Sequence, residues 1–421
     1  MISKFTKPAQ SVASIGACLT FALASSSQAG PANFQDYFFN VCEQQSNNSQ
    51  DHGQLTGLCF VGPAQPGDLS TDSEASLNPS QMLSSNDAAL SFARANARLQ
   101  QERKQNPKGG SSGSETPIGP FSVLVNVRQL QEDSKRQASF GTERGYNSDG
   151  TAFELGLDYR VNDSLVIGAM YAYEDTELDF RGELPGVNFS PVNSAGRKDS
   201  SQSALSFFAT ADLNANWYLQ AGAGFSRSDN DFSRNSIFQE STRSLTAISS
   251  RTSGSADGES QWFSLNSGYN INVEQWSFTP YASLLWASSE IDGFSERDLS
   301  NTGLNMSFSK MERDSRIANL GLNISGVFNQ DFGVLIPQLR VEFEKEFDRD
   351  PQSMSARFVQ DNSNTVYQFA GESPDDSYIN AALGLVAILP NGWIPYFEYQ
   401  WQESNSSFDR SQWVLGIRKE L

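Results

Sequence analysis

Hydrophobic and polar residues alternate one by one along most of the chain beyond residue 120. In the segment 151–161 one face carries Phe153, Leu155, Leu157, Tyr159 and Val161, and the other carries Glu154, Gly156, Asp158 and Arg160. A period of two residues is typical of a β-strand whose two faces meet different surroundings. The pattern predicts twelve strands, at about 121–130, 151–161, 165–178, 202–213, 217–229, 259–272, 276–290, 314–329, 334–347, 378–389, 392–402 and 410–420.

The connections between these strands alternate in length. Short polar turns such as Asn162-Asp163-Ser164 and Asn214-Ala215-Asn216 alternate with long, acidic segments such as Arg181–Ser201 and Asn230–Gly258. An even number of strands with short turns on one side and long loops on the other indicates a 12-stranded antiparallel transmembrane β-barrel. Backbone groups in lipid must pair within the protein, so such a sheet closes on itself. Aromatic residues near the strand ends fit the two interface girdles of such a barrel.

The inner face of these strands is polar. A soluble β-sandwich is the alternative, but one predicted strand carries Arg340, Glu342, Glu344 and Glu346 on a single face, which a sandwich core would not tolerate. A water-filled lumen accommodates them. The side chains predicted to face the lumen are Glu154, Asp158, Arg160, Arg340 and Glu342.

One segment before the barrel predicts a helix. Asp87–Lys104 is rich in alanine, Asn86 is a candidate N-cap, and bases including Arg94 and Arg98 gather toward its C-terminal end. The segment is too polar for a lipid span. It is followed by a flexible stretch to residue 119, and we expect the helix to lie in the pore, with Arg94 and Arg98 toward an acidic lumen. A solvated helix outside the barrel is the alternative.

The N-terminal residues have the pattern of an export signal. Residues 1–29 contain Lys4 and Lys7, an apolar core and a small-x-small site ending at Ala29, so we predict a cleaved signal peptide. A buried helix and lipoprotein processing at Cys18 are alternatives. Residues 30–86 are polar and we interpret them as irregular, with a linker from Pro63. An exported chain favours a disulfide between Cys42 and Cys59.

The composition of the chain argues against several classes of function. The 421 residues carry a net charge of −19, which makes the chain a poor ligand for nucleic acid. No apolar run long enough for a helical membrane span occurs after the N-terminus. His52 is the one histidine and precedes every strand, so no Ser-His-Asp arrangement can form on the barrel. We therefore predict no catalytic residues, no metal site and no cofactor.

Several motifs resemble a known family. Leu155-Gly156-Leu157-Asp158-Tyr159, Phe278-Thr279-Pro280-Tyr281 and Asp331–Pro337 running to Glu342 and Glu346-Phe347 are similar to segments of the C-terminal translocator barrel of autotransporters (type V secretion). The resemblance covers residues 120–421. It implies a helix threaded through the pore, an exported N-terminal passenger, and recognition by the barrel-assembly machinery through a C-terminal signal. In that signal Gly416 matches, whereas Lys419 and Leu421 stand where aromatic residues are usual.

The expected organisation is therefore a signal peptide (1–29), a short passenger-like region with a linker (30–86), a helix with a flexible linker (87–119) and the barrel (120–421). The predicted function is export or anchoring of the protein's own N-terminal segment in the outer membrane of a Gram-negative bacterium, with the segment at the cell surface. Outer-membrane lipid and lipopolysaccharide are the expected surroundings, and the sequence does not specify a ligand of the N-terminal segment. The alternatives are a porin-like channel plugged by the helix, and a small surface binding module anchored by the barrel.

Overall fold

The structure is a computed structural model. It describes residues 34–47, 53–61, 69–105, 119–134, 144–183, 192–239, 247–371, 373, 375–405 and 408–421. The predicted signal peptide and most of the predicted flexible stretch before the barrel lie outside the described residues.

Twelve strands form one closed sheet. Every strand pairs antiparallel with the next in the chain, and the last pairs with the first along thirteen residue pairs, from Ser122 opposite Glu420 to Ser134 opposite Phe408. The prediction of a closed 12-stranded antiparallel barrel is confirmed. The strands are β1 (Phe121–Ser134), β2 (Tyr146–Asn162), β3 (Leu165–Arg181), β4 (Ser194–Asp212), β5 (Trp217–Phe238), β6 (Ile248–Tyr269), β7 (Trp276–Ile291), β8 (Met311–Gly326), β9 (Gly333–Glu346), β10 (Ser377–Ile388), β11 (Trp393–Glu403) and β12 (Phe408–Glu420).

The strands extend further toward the long loops than the alternation predicts. β5 and β6 each have 22 residues, and the pairing between them continues to Phe238 opposite Ile248. Beyond Phe225 the outward residues of β5 are Arg227, Asp229 and Asp231, so both faces are polar there. The hydrophobic signal ends at that level, although the backbone ladder does not.

The outer surface carries an apolar band. On β5 the outward side chains from Trp217 to Phe225 are apolar, and on β11 those from Trp393 to Trp401 are likewise apolar or aromatic. Eight residues of strand rise span ~27 Å along a tilted strand, in keeping with a hydrocarbon core. Aromatic residues at both ends of the band form the two girdles.

Short strands and a 3-10 turn lie at the two ends of the barrel. At the long-loop end, Phe294–Ser295, Met306–Phe308, Ser353–Phe358 and Tyr367–Ala370 form a separate four-stranded sheet. Arg297–Asp298 pairs with β6. At the short-turn end, Ile271–Val273 and Phe328–Gln330 extend hairpins, and Pro390–Gly392 forms a 3-10 turn in which Asn391 has a φ of 63°.

In the described part of the chain four α-helices precede the barrel: α1 (Phe34–Asn47), α2 (Gly53–Val61), α3 (Thr71–Leu77) and α4 (Ser85–Gln105), with a 3-10 turn at Ser80–Met82. The interpretation of residues 30–86 as irregular is wrong for the described part, and residues 69–86 are not a linker. Their few apolar side chains, including Leu69, Leu77 and Met82, are buried. The helix α4 begins at Ser85, so Asn86 lies within it and is not its N-cap. Among the described residues, no helix has the length and hydropathy needed to cross a bilayer.

Candidate functional site: the helix-filled pore and its cap

The helix α4 lies in the lumen against one half of the wall. Leu90, Phe92, Ala93 and Ala97 pack on inward-facing apolar residues of β3, β4 and β6 to β8, namely Ala172, Ala204, Trp262, Leu285, Ala287 and Ile317. Small alanines let the helix approach the wall closely. The sequence contains a signal for this contact surface, because Trp262, Leu285 and Ile317 are large apolar residues at inward positions of a barrel whose lumen is otherwise rich in polar side chains.

The basic face of α4 meets a row of carboxylates on β9. Arg94 Nη2 donates to Glu346 Oε2 at 2.7 Å and to Ser315 Oγ at 2.7 Å. Arg98 Nη2 donates to Glu344 Oε2 at 2.9 Å and lies 3.5 Å from Glu342 Oε2. These carboxylates are almost fully buried, whereas about a quarter of each arginine side chain is exposed to the lumen. The ion pairs are partly desolvated and fix the helix to the wall.

The other lumen residues predicted from the sequence form networks within the wall. Arg128, which was not among the predicted lumen residues, donates to Glu154 Oε1 at 3.1 Å and to Glu174 Oε2 at 3.0 Å, and all three side chains are buried. Arg340 donates to Glu398 at 2.6 Å. These pairs neutralise charge inside the barrel.

The remaining predicted residues lie near the short-turn end. Asp158 accepts from Ser122 Oγ at 3.1 Å, with Arg418 at 3.8 Å. Arg160 is half-buried near the end of β2. Gly416 faces inward, where a Cβ atom would collide with the Tyr396 ring and with Asn126, so that position requires glycine. Leu421 is exposed, and its N–H donates to Phe121 O at 2.9 Å.

A small cavity remains beside α4. It has a volume of about 50 Å³ and is lined by side chains that include Arg94, Arg98, Arg128, Tyr378 and Arg410. At ~10–15 Å³ for each water, it holds a few waters or a small ion. The lumen beside the basic face of α4 is therefore wet at this level.

The first three helices close the long-loop end of the barrel. We call them, with the residues that join α3 to α4, the cap (residues 34–47, 53–61 and 69–83). The Tyr37 ring stacks between Phe358 and Tyr367, with centroid distances of 5.6 and 5.2 Å, and its hydroxyl accepts from Phe358 N at 3.0 Å. Phe38 is fully buried against Phe238 and Phe358. This aromatic cluster joins α1 to the extracellular-type loops.

Polar contacts fix α3 in the same mouth. Ser73 Oγ donates to the Gln239 carbonyl and accepts from the Gln239 N–H. Ile237 N donates to Ser76 Oγ at 2.9 Å. Buried Arg144 donates to Ala75 O at 2.7 Å. Serine hydroxyls thus continue the hydrogen bonding of β5 where the strand ends, which explains how a segment with few apolar residues stays folded.

A disulfide joins Cys42 of α1 to Cys59 of α2 across 17 residues of sequence. In the loop-entropy account a closure of this length stabilises the fold by about 3 kcal/mol. We expect Cys42→Ser/Cys59→Ser to lower the free energy of cap unfolding by roughly that amount. Hydrogen exchange of the α1 amides measures it. Unchanged α1 protection would show that aromatic packing alone holds the hairpin.

A buried carboxyl of α3 contacts α1. Gln35 Nε2 donates to Glu74 Oε2 at 2.7 Å. Burial raises the pKa of Glu74, the Gln35 hydrogen bonds oppose the rise, and the charge of Asp36 adds to it. A raised carboxyl pKa favours the docked cap at acid pH, and this contribution is lost as the pH rises through the raised value.

We therefore expect α1 amides to be better protected from hydrogen exchange at pH 5 than at pH 7, after correction for intrinsic exchange rates. Glu74→Gln should flatten this dependence, while Glu43→Gln, on the exposed side of α1, should keep it. An identical pH profile in both variants would contradict the assignment.

The fold and the pore define a class of protein: an outer-membrane translocator barrel with a helix in its lumen. The chain matches the Autotransporter beta-domain over residues 127–400, and it belongs to that family. It is a translocator barrel of the outer membrane of a Gram-negative bacterium.

Individual relatives share the barrel region. The chain is 25% identical over 295 residues to Esterase EstA of Pseudomonas aeruginosa, and this alignment covers 68% of the chain and 40% of the esterase. It is 24% identical over 330 residues to Outer membrane protein A of Rickettsia rickettsii, covering 75% of this chain and 14% of that protein. The chain thus spans well under half the length of these relatives. Among solved structures, the translocator domain of NalP from Neisseria meningitidis has a TM-score of 0.57 at 13% identity, covering 80% of this chain and 98% of that domain.

Proposed function

We propose that this barrel exports its own N-terminal segment and keeps that segment docked as a cap on its outer mouth. The supporting observation is the path of α4, which crosses the lumen once from end to end. Asn86 contacts Ser289 near the long-loop end of β7, and the Gln100 carbonyl accepts from Gln220 near the short-turn end of β5. The cap and the start of β1 are therefore on opposite sides.

The direction follows from the loops. In outer-membrane barrels short turns face the periplasm and long loops face outward. Gly119 lies against Leu421 at the short-turn end, and the cap packs on the long loops. With this orientation residues 34–83 have passed through the membrane. The surrounding outer-membrane lipid, lipopolysaccharide and the barrel-assembly machinery are the partners of this proposal.

The proposed role is transport and anchoring without catalysis. The esterase relative matches this chain over 40% of its own length, so its name describes a protein with much sequence that this alignment does not cover. Within the described residues no cluster of His, Cys, Asp and Glu side chains could hold a metal ion. The lumen carboxylates have structural partners, as Glu154 has in Arg128 and Asn126.

Protease accessibility on whole cells tests the proposal. A recognition sequence for a site-specific protease is placed between residues 62 and 68, and in a second chain in the turn Asn214–Asn216. We expect cleavage of the first chain on intact cells and of the second only after lysis. Protection of the first site until lysis would contradict export of the cap.

A porin-like channel plugged by α4 is a second candidate, which the polar cavity between the helix and the wall favours. It predicts that deleting Asp87–Lys104 raises the single-channel conductance in planar bilayers severalfold. A cap that is retained would still seal the mouth, so the conductance of a second chain without residues 34–104 is measured in parallel. If neither deletion raises the conductance, α4 is not what limits ion flow.

A further inference from the structure

The cavity beside α4 is surrounded by cationic side chains. Four arginines line it: Arg94 and Arg98 of α4, Arg128 of β1 and Arg410 of β12. Among the described residues that line it, Glu344 is the one carboxylate, and the other polar groups are hydroxyls and side-chain amides. Four positive charges therefore surround a volume of about 50 Å³.

The carboxylates that pair with these arginines are mostly turned away from the cavity. Arg94 and Arg410 each expose 23% of their side chains, whereas their partners Glu346 and Glu132 expose 5% and 6% and do not line the cavity. Arg98 exposes 24%, against 2% and 3% for its two partners on β9. The exposed part of each ion pair is its guanidinium group, so the cavity presents N–H donors and positive charge although the lumen also contains many carboxylates.

The hydrogen bonding of these arginines is incomplete within the described residues. Nη1 of Arg128, whose side chain is 1% exposed, and Nε of Arg94 are buried and have no acceptor there. A buried N–H group without an acceptor is costly, and more so on a charged group. Like charges around one small volume also repel each other strongly where the local dielectric constant is low. An anion between the guanidinium groups lowers both costs, because it accepts hydrogen bonds and offsets the repulsion.

We propose that this cavity binds one small inorganic anion, chloride, which bridges α4 to the barrel wall. A volume that holds a few waters admits a monatomic anion and is too small for an organic phosphate or a nucleotide. Hydrogen bonds from guanidinium groups to an anion are charge-assisted and are among the strong ones. The site belongs to the folded barrel and does not depend on the direction in which the N-terminal segment moves.

A bound anion joins α4 to a part of the wall that the helix otherwise contacts little. The apolar residues of α4 pack on β3, β4 and β6 to β8, and its arginines pair with carboxylates of β9. The cavity extends beyond β9 to residues of β10, β11, β12 and β1, where Arg410 Nη2 donates to Ser91 Oγ at 2.6 Å. An anion shared by Arg98 of the helix and Arg128 of the wall adds a second contact on that side.

A chloride titration of the purified full chain in detergent tests the site. The width of the chlorine NMR signal measures binding, because chloride that exchanges with a slowly tumbling protein gives a broader line. Gluconate, which is too large for the cavity, keeps the ionic strength constant. Arg94→Gln/Arg98→Gln removes two of the cations, and Ala95→Leu keeps all four but fills the cavity that Ala95 lines. The matched controls are exposed Arg227→Gln and Ala221→Leu on the lipid-facing side of β5.

We expect saturable broadening in the unmodified chain and in both controls. Both cavity variants should bind chloride at least about tenfold more weakly, because the anion loses charge-assisted hydrogen bonds in one and its space in the other. Heat-modifiable migration verifies that each barrel has folded. Unchanged affinity in Ala95→Leu would overturn the proposal, since the chloride would then lie elsewhere, and so would an unmodified chain that causes no saturable broadening.

Bromide locates the anion, because its anomalous scattering distinguishes it from water. In crystals grown in sodium bromide we expect an anomalous peak within hydrogen-bond distance of the guanidinium groups of Arg94, Arg98 or Arg128, and no such peak in Ala95→Leu. A cavity that holds water alone under these conditions would overturn the site. Exchange of the α4 amides should be slower in chloride than in gluconate for the unmodified chain and equal in the two salts for Ala95→Leu. Equal exchange in the unmodified chain would contradict the bridge.

Discussion

Arg128→Met is expected to destabilise the folded barrel by about 3–5 kcal/mol, since it leaves buried carboxylates without their cation. Arg128 is 1% exposed and holds both Glu154 and Glu174, which are also buried. Methionine has a similar length and fills the same space, so the loss isolates the charge. The measurement is the urea midpoint for unfolding in detergent, followed by heat-modifiable migration.

Two variants calibrate this prediction. Arg227→Met removes an arginine from the exposed pair with Glu259 and should cost about 0–1 kcal/mol. The triple variant Arg128→Met/Glu154→Gln/Glu174→Gln removes the charges together and should recover much of the stability, because the unpaired carboxylates are gone. If Arg128→Met and Arg227→Met have equal midpoints, the buried network does not hold this part of the wall.

Phe38→Ala is expected to weaken docking of the cap by about 3–5 kcal/mol, the usual cost of deleting a fully buried phenylalanine. Phe38 is at the centre of the aromatic cluster, in contact with Phe238 of β5 and Phe358 of the loop between β9 and β10. The population of the undocked state should therefore rise by about two to four orders of magnitude. Hydrogen exchange of the α1 amides measures this population.

The matched control for this change is Asn40→Ala on the exposed side of the same helix, where exchange should remain within about twofold of the unmodified chain. Barrel folding should be unaffected in both variants, because the strand pairing does not involve α1. Equal exchange rates for Phe38→Ala and Asn40→Ala would mean that the cap is held elsewhere, for example by the hydroxyl contacts of α3.

The barrel was predictable from the sequence because lipid on one side and water on the other impose a strict period of two. On β5 the prediction stopped at residue 229, shortly after that contrast stops at Phe225, since the outward residues beyond Phe225 are polar. The helices α1 to α3 were missed for a related reason. Their stability comes from contacts with residues more than 150 positions away, such as Ser76 with Ile237 of β5, and local propensity does not report these contacts.

A helix in an acidic pore was predictable from the sequence, but the ion-pair partners of its arginines were not. An alanine-rich helix with Arg94 and Arg98 indicated a partner for an acidic lumen, and Glu342 was already expected to face inward. The choice of Glu344 and Glu346 as the main partners depends on the rotation and depth of α4 in the barrel. One sequence contains no local signal for that register, because it is set by residues some 250 positions apart.

The barrel wall is uneven in height, because β5 and β6 are its longest strands, and their height sets the distance between the cap and the lipid. From Phe225 at the upper girdle to Phe238, β5 continues for thirteen residues, ~43 Å along the tilted strand, and β6 rises beside it. The cap rests on this raised edge, so it stands clear of the lipid headgroups on a rigid β-ribbon. The strands themselves act as a stalk, which under the proposed export would present the cap at a distance from the membrane.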